Sequence, residues 1–189
     1  MKKVEFIFPT LNRDKELRSA LASILAQTNA NWKVNVVVDS PTIGIADDIV
    51  KDINDERVYI THLDKRYSDW GHTPREYGKQ MCTAEYVIMG GDDSYYTPNF
   101  VEELTNYMSR GDDFIYWDMV HSHYNYQYFK CSPAYNQIDI GAFAVKTELA
   151  KQIKLQTSYA ADGIFVEEFK KTFPNAKMSK INKVLYVHN

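Results

Sequence analysis

Three things are scarce in this sequence: cysteine, long apolar runs and surplus positive charge. The two cysteines, Cys82 and Cys131, provide neither a disulfide framework nor the ligand spacing of a zinc site. No apolar run approaches the roughly 20 residues of a transmembrane helix, and the apolar stretch and cleavage site of an export signal are not found. The net charge of -3 argues against nucleic acid as the main ligand, because phosphate backbones select basic surfaces. These absences favour a cytoplasmic protein without a transmembrane segment.

The composition is otherwise that of a globular protein with many aromatic residues. Hydrophobic residues make up 44% of the 189 residues and charged residues 25%, so disorder is not expected and a single domain over 1–189 is the simplest organisation. Aromatic residues reach 14%, and many lie between Asp69 and Tyr135. Tyrosine suits sugar rings because it combines a flat apolar face with a hydroxyl. Composition alone favours the alternative to sugar binding, in which the aromatic residues simply form the core and its rim.

Hydrophobic periodicity predicts strands and helices that alternate along the chain. The predicted strands cover 4–8, 32–38, 58–61, 86–89, 114–119, 138–145 and 183–187. The predicted helices cover 14–27 (with Asp14 as its cap), 44–53, 75–83, 98–109, 146–153 and 160–172. Residues 62–74 and 120–136 are predicted as loops. This alternation is typical of an α/β fold with a mostly parallel central sheet flanked by helices.

Polar residues follow several predicted strands at their carboxyl ends, where open parallel sheets bind ligands. They are Thr10, Asn12, Arg13, Asp39, Asp92 and Asp93. The adjacent carboxylates of Asp92 and Asp93 repel each other unless a cation joins them, and such oxygen ligands suit Mg²⁺ or Mn²⁺. A pair of aspartates that turns the chain and caps the next helix is an equally good explanation.

The order and spacing of several segments resemble family-2-type glycosyltransferases with the GT-A fold. No single segment is specific, but the ordered set is, and it covers roughly the first 105 residues well. The segments are 9–13, 23–27, 32–39, 71–75, 84–88, 91–98, and more weakly 139–143 and 185–189. The resemblance implies a Rossmann-like three-layer fold that transfers sugar from a nucleotide sugar.

The resemblance also implies residues for the nucleotide. Pro9, Thr10 and Arg13 would line the nucleotide pocket, and Asp39 would accept a hydrogen bond from the base. Family members usually carry two acidic residues where this chain has Asp39 and Ser40. The identity of the base therefore stays open, and a turn cap is the alternative role for Asp39.

Two basic residues one helical turn apart, Arg75 and Lys79, would face the diphosphate together. A solvated helix face is the alternative interpretation. For Lys79 the solvated face is the preferred one.

A metal site follows from the same resemblance. Asp93 matches the last aspartate of the family's DXD motif and would bind Mn²⁺ or Mg²⁺. His188 matches a terminal histidine that completes this site in several GT-A enzymes, although an exposed histidine is the alternative. Gly91 stands where the first aspartate of the motif normally lies, and Asp92 would take over its contact with the donor.

A general base is required if the anomeric carbon is attacked with inversion, because the acceptor hydroxyl must lose its proton. In inverting family members this base is a carboxylate on the first turn of a late helix, and Asp162 fits that place. A plain helix cap is the alternative role. Glu167 and Glu168 lie further into the same predicted helix and are weaker candidates.

Aromatic and histidine side chains crowd the segment 117–135, which would overhang the site and carry the acceptor or close over the donor. They are His121, His123, Tyr124, Tyr126, Tyr128 and Phe129, with Trp70 and His72 approaching from another loop. Loop packing is the alternative explanation for all of them.

The leading hypothesis is therefore a metal-dependent glycosyltransferase that moves a hexosyl group from a nucleotide sugar, preferably a UDP-sugar, to a glycan acceptor with inversion. A retaining transferase on the same fold is the first alternative. A non-catalytic nucleotide-sugar-binding module, impaired at Gly91, is the second. A nucleotidyltransferase is disfavoured because the segment after the first strand has no glycine-rich phosphate loop.

Overall fold

The computed structural model describes residues 4–189, which contain one sheet of nine strands. The strands are β1 (Val4–Thr10), β2 (Trp32–Val38), β3 (Val58–His62), β4 (Tyr86–Ile88), β5 (Tyr95–Tyr96), β6 (Phe114–His121), β7 (Gln127–Phe129), β8 (Phe143–Lys146) and β9 (Met178–His188). The helices are α1 (Asp14–Leu25), α2 (Ile45–Ile53), α3 (His72–Met81), α4 (Phe100–Met108), α5 (Thr147–Ala150) and α6 (Ala161–Thr172). A 3₁₀ turn covers Ser122–Tyr124.

Parallel pairing organises the sheet in two blocks. The strand order is β3-β2-β1-β4-β8-β6-β9-β5, with β7 paired to β6. The first four strands run parallel, and β6 and β9 form a second parallel pair. The short strand β8 joins the blocks by antiparallel pairing to β4 and β6. The predicted mostly parallel α/β sheet is confirmed.

Side chains that alternate along β1 show that helices cover both faces of the sheet. The ring of Phe6 lies 5.9 Å from the ring of Phe100 in α4. The next residue, Ile7, packs against Gly78 of α3, where an added Cβ would meet its Cγ2 at 2.5 Å. Because successive side chains of a strand point to opposite faces, α3 and α4 lie on opposite sides. This is the expected three-layer arrangement.

The second parallel block is covered in the same way. On β6, the ring of Trp117 lies 4.7 Å from Phe100 of α4, whereas the ring of Phe114 lies 5.1 Å from Phe169 of α6. Residues three apart on a strand face opposite ways. Helix α6 therefore covers the face opposite to α4 and brings its first turn toward the ends of β6 and β9.

The starts of two helices differ from the predictions. Helix α3 begins at His72 instead of residue 75, since Oδ2 of Asp69 accepts from both the backbone N–H and the hydroxyl of Thr73. The prediction that Asp14 caps α1 is wrong: Arg13 precedes the helix, and Asp14 is its first residue. There its negative charge faces the positive end of the helix dipole.

The later part of the chain departs further from the predicted elements. The strand predicted at 138–145 is limited to β8, because residues 138–142 form a loop. Strands β6 and β9 are longer than predicted, and the expected loop 120–136 contains β7 and the 3₁₀ turn. Buried Asp118 holds this segment, since its carboxylate accepts from the backbone N–H of Cys131 and from the hydroxyl of Tyr128. Within residues 4–189, no helix combines the length and apolar character that crossing a bilayer demands.

Candidate active site

The loops after β1, β2, β3 and β4 enclose a cavity of about 510 Å³ at the carboxyl edge of the first parallel block. Eight residues that the sequence proposes for the donor and the metal line it together: Pro9, Thr10, Arg13, Asp39, Arg75, Asp92, Asp93 and His188. Sequence reasoning missed Arg66 and Ser68, which complete the wall from the loop after β3. Only the adjacent basic residues Lys65 and Arg66 in the predicted loop offered a signal for this part of the wall.

A network of charges forms one side of this cavity. The guanidinium of Arg13 lies 3.3 Å from Asp92 and 2.9 Å from Asp93, and the hydroxyl of Thr10 donates to Asp92 at 2.7 Å. Burial raises the pKa of Asp92 to about 6, although Thr10 and Arg13 act in the opposite direction. Arg13 is thus one cation that joins the two adjacent carboxylates. Its side chain is 45% exposed, so it can also reach an anion in the cavity.

Gly91, which departs from the family motif, lies directly against this network. A Cβ at residue 91 would be 2.8 Å from Oδ1 of Asp93. That separation is shorter than any normal contact, so a side chain here would push the Asp93 carboxylate from its position. The glycine thus leaves the second aspartate room to lie beside Arg13.

Asp39 supports the loop that closes the cavity. Its Oδ1 accepts from the backbone N–H of Tyr67 at 2.8 Å, and its Oδ2 accepts from that of Ser68 at 3.0 Å. Each carboxylate oxygen has two acceptor positions, so Asp39 retains acceptor capacity toward the cavity that it lines. Asp39 can hold the loop and, at the same time, accept a hydrogen bond from an N–H group of a ligand such as a nucleotide base.

The same loop holds an aromatic side chain out into solvent. Ser68, Trp70 and Gly71 all have positive φ angles, at 55°, 57° and 82°. A bulky residue such as tryptophan adopts this region only where its surroundings impose it. The Trp70 side chain is 74% exposed and lies at the edge of the cavity. The backbone here is arranged to present an indole rather than to bury it.

Arg75 ties this loop to the end of β4. Its Nε donates to the carbonyl of Gly90 at 2.8 Å, and its Nη1 donates to the carbonyl of Trp70 at 2.9 Å. Lys79, one turn later, does not lie on the solvated helix face that was predicted. It is fully buried, forms an ion pair with Glu76 at 2.7 Å and donates to the carbonyl of Ile153. Lys79 stabilises the packing of α3, and it does not line the cavity.

A second cavity of about 500 Å³ adjoins the first. The two share the side chains of Trp70, Arg75 and His188. Asp162, the second residue of α6, lines the second cavity, and its Oδ1 accepts from the backbone N–H of Gly163 at 2.6 Å. Burial raises the pKa of Asp162 to about 6, and the nearby charge of Asp139 adds to this effect. A carboxylate with this pKa is ionised at neutral pH and able to accept a proton.

The hairpin after β6 supplies much of the remaining wall of the second cavity. Its lining side chains are His121, His123, Tyr124 and Phe129, while Tyr126 and Tyr128 of the same segment do not take part. Burial lowers the pKa of His121, and the nearby His188 adds to this effect. Tyr159 lies across the cavity and is 87% exposed. Flat aromatic faces around a carboxylate suit a ring-shaped, hydroxyl-rich ligand.

Residues 5–170 match the sequence profile of glycosyl transferase family 2. The chain belongs to this family. The predicted GT-A resemblance, which rested on an ordered set of segments, is confirmed. No curated protein sequence matches this family 2 chain.

Solved structures share the fold of this family 2 domain. The fragment 1–349 of S. aureus TarS has a TM-score of 0.81 at 18% identity, over 99% of this chain and 60% of that chain. The same fragment in complex with UDP has a TM-score of 0.80 at 19% identity, over 98% and 60%. The mannosyltransferase PcManGT from Pyrobaculum calidifontis, in complex with GDP-Man and Mn²⁺, has a TM-score of 0.72 at 16% identity, over 98% and 56%. The family 2 chain thus spans about three fifths of the TarS fragment, and at these identities the likeness establishes the fold.

Proposed function

We propose that this family 2 domain transfers a hexosyl group from a nucleotide sugar, preferably a UDP-sugar, to a glycan acceptor with inversion. The observation that carries the proposal is the pair of adjoining cavities. One collects the charged residues at the strand ends, and the other contains a buried carboxylate among aromatic rings. A transferase needs such neighbouring sites because the donor's anomeric carbon must lie next to the acceptor hydroxyl.

The first cavity supports the donor half of the proposal. Asp39 offers an acceptor to a base N–H, and Arg13 and Arg75 offer guanidinium donors to a diphosphate. The UDP complex of TarS and the GDP-Man complex of PcManGT show that relatives in fold bind nucleotides of this class. We infer that Pro9 and Thr10 form the remaining contacts with the nucleoside, with Thr10 held in place by Asp92.

The side chains in the first cavity also fit a divalent metal. Asp93 contributes a carboxylate that is 21% exposed, and His188 contributes an imidazole to the same cavity. One oxygen and one nitrogen ligand leave coordination positions for diphosphate oxygens, and the imidazole favours Mn²⁺ over Mg²⁺. When bound, the metal would neutralise the charge that develops on the diphosphate leaving group.

Asp162 is proposed as the general base. It lines the second cavity beside His188 and Arg75, which also line the first. As the acceptor hydroxyl attacks the anomeric carbon, the Asp162 carboxylate takes its proton, and Arg75 and Arg13 remain as cations beside the departing diphosphate. The predicted product therefore has the opposite anomeric configuration to the donor. Retention of configuration would assign Asp162 to substrate positioning.

We also propose that residues 1–189 form one glycosyltransferase domain. Support comes from the sheet, which connects β1 near the beginning to β9 at the end without a second core among residues 4–189. His188, on the last strand, contributes to a cavity whose other walls come from the first half of the chain.

Isothermal titration with UDP-glucose, UDP-galactose, UDP-GlcNAc and GDP-mannose, with and without Mn²⁺, tests the donor proposal. We expect one UDP-sugar to bind in a Mn²⁺-dependent manner and Asp93→Ala to remove that dependence. Asp52→Ala on the exposed surface of α2 is the control and should bind like wild type. Binding of no donor under any condition would refute the proposed function, and binding without turnover or hydrolysis would identify a nucleotide-sugar-binding module.

A further inference from the structure

Three potential metal ligands meet at the border between the two cavities. His121 is the last residue of β6, His188 is the last residue of β9, and the parallel register places them side by side. Their imidazole rings stack at 4.2 Å with an interplanar angle of 23°. Asp139, from the loop before β8, brings Oδ2 to 3.8 Å from Nε2 of His188. One ligand atom from each residue lies within 4.8 Å of the other two, and no second group of three His, Cys, Asp or Glu side chains does so within residues 4–189.

The backbone around Asp139 holds its carboxylate and leaves the second oxygen free for an ion. Oδ1 of Asp139 accepts from the backbone N–H of Gly141 at 2.8 Å, which leaves Oδ2 directed toward His188. The carbonyl of Gly141 in turn accepts from the hydroxyl of buried Tyr96 at 2.9 Å. The hydrogen bond from Gly141 restricts the Asp139 side chain, so its carboxylate is held next to the ends of two strands before any ion binds.

His188 has hydrogen-bonding capacity that the protein does not meet. Its Nδ1 is buried and has no hydrogen-bond partner. Buried polar atoms are usually paired, so the unpaired Nδ1, together with Nε2 at 3.8 Å from Asp139, leaves the ring nitrogens of His188 available to an ion. The unpaired nitrogen is an observation independent of the spacing of the three ligands.

We propose that His121, Asp139 and His188 bind a divalent transition-metal ion of the Zn²⁺ class, without any nucleotide sugar. Two imidazoles and one carboxylate select Zn²⁺, Co²⁺ or Ni²⁺ over Mg²⁺ and Ca²⁺, which prefer oxygen ligands. Three protein ligands leave at least one coordination position open to water or to a ligand in the second cavity.

Binding of the ion changes one contact in the 3₁₀ turn. Nδ1 of His121 accepts from the backbone N–H of His123 at 3.1 Å. A neutral imidazole has one lone pair, so ligation through Nδ1 displaces this hydrogen bond. Ligation through Nε2 moves the ring proton to Nδ1, which can then no longer accept from the N–H of His123, so this hydrogen bond is lost in that case as well. The amide of His123 should therefore become more exchangeable when the ion is bound.

This metal site is distinct from the one proposed for the donor, although His188 belongs to both. Asp93 lines only the first cavity, whereas His121 and Asp139 line only the second. The inference concerns the protein alone and does not require transfer activity. Asp93→Ala separates the two sites, because it removes a donor-site ligand and leaves the three residues of the border site intact.

Titration of untagged protein with ZnCl₂ in the absence of nucleotide tests the inference. We expect one ion per chain, and at least a tenfold loss of affinity in His121→Ala and in Asp139→Asn. His123→Ala is the matched control: the exposed His123 ring contacts the rings of His121 and His188 at 4.8 and 5.7 Å, but it is not one of the three ligands. His123→Ala and Asp93→Ala should bind Zn²⁺ like wild type, and Mg²⁺ should not compete.

The absorption spectrum of the Co²⁺-loaded protein gives a second measurement that depends on the ligands. Asp139→Asn keeps the acceptor for Gly141 and is nearly isosteric, so it carries the test if His121→Ala does not fold. Absence of stoichiometric Zn²⁺ binding would overturn the proposal. So would equal loss of binding in His123→Ala, or loss of nucleotide-free binding in Asp93→Ala.

Discussion

Asparagine in place of Asp162 should slow transfer strongly and, at the same time, make the protein more stable at neutral and higher pH. Asparagine resembles the protonated form of the carboxyl group, and its side-chain oxygen can still accept from the N–H of Gly163. It cannot take a proton from an acceptor hydroxyl. Loss of a general base typically lowers the rate by about 10² to 10⁴-fold.

The expected gain in stability follows from the pKa of Asp162. Burial raises this pKa from 3.8 to about 6, so the folded protein holds the proton more tightly than the unfolded chain does. The free energy of unfolding of the wild type therefore falls as the pH rises from about 4 to about 6. A rise of about two pKa units corresponds to about 3 kcal/mol. Roughly half of it is lost between pH 5 and pH 8, and the asparagine variant does not share this loss.

Urea unfolding at pH 5, 6, 7 and 8 measures the effect as a difference between wild type and variant. Asp162→Asn should gain about 1 to 2 kcal/mol relative to wild type between pH 5 and pH 8. Glu167→Gln is the matched control, since Glu167 lies on the same helix and only contacts Lys170 at the surface. Its difference from wild type should stay within about 0.5 kcal/mol at every pH.

The rate of transfer provides the second half of the test. In wild type, kcat/KM should decrease below about pH 6, because the base must be ionised in the free enzyme. An Asp162→Asn variant whose stability differs from wild type by the same amount at all pH values would refute the raised pKa. An active variant with an unchanged pH profile would show that another group takes the proton.

Three further predictions concern other parts of the domain. Arg13→Met should weaken UDP binding by about 10 to 100-fold in isothermal titration, because it removes a charge-assisted donor and leaves Asp93 without its ion pair. Gly141→Ala should lower the free energy of unfolding by about 1 to 3 kcal/mol in urea, since the new Cβ would lie 2.6 Å from Cζ of buried Tyr186; an unchanged midpoint would contradict this packing. Burial raises the pKa of the Cys82 thiol to about 12, so thiol reagents at pH 7.5 should label it only as fast as the protein unfolds.

The first cavity was predictable from sequence because each of its polar residues Thr10, Asp39 and Asp92 follows a strand that local pattern identifies. Thr10, Asp39 and Asp92 all stand just after apolar runs, and the parallel crossover rule brings such ends to one edge. The burial of Lys79, which was expected on a solvated helix face, is not predictable from sequence because it depends on tertiary packing. Helical spacing places it one turn from Arg75, but only the packing of α3 on the sheet shows that the lysine is buried beside Glu76.

The second cavity was predictable only in part, because its walls depend on strand register and on loops. His121 and His188 become neighbours through the parallel pairing of β6 with β9, and no periodicity in either strand specifies that register. Asp139 falls in a segment predicted as a strand. In a strand, the alternation of side chains would decide only which face of the sheet the Asp139 side chain lies on. In the structure it lies in a loop whose shape depends on the hydroxyl of Tyr96.

The residues shared by both cavities connect the two halves of the site physically. Arg75 holds the Trp70 loop and the end of β4 with two hydrogen bonds from one guanidinium, so a shift of either segment moves the border between the two cavities. His188 lies on the same border from the opposite end of the chain. An ion bound to His121, Asp139 and His188 would draw this imidazole toward the second cavity and away from Asp93. Zn²⁺ should therefore weaken the Mn²⁺-dependent binding of the donor in wild type but not in Asp139→Asn, and the same titration can measure both ions.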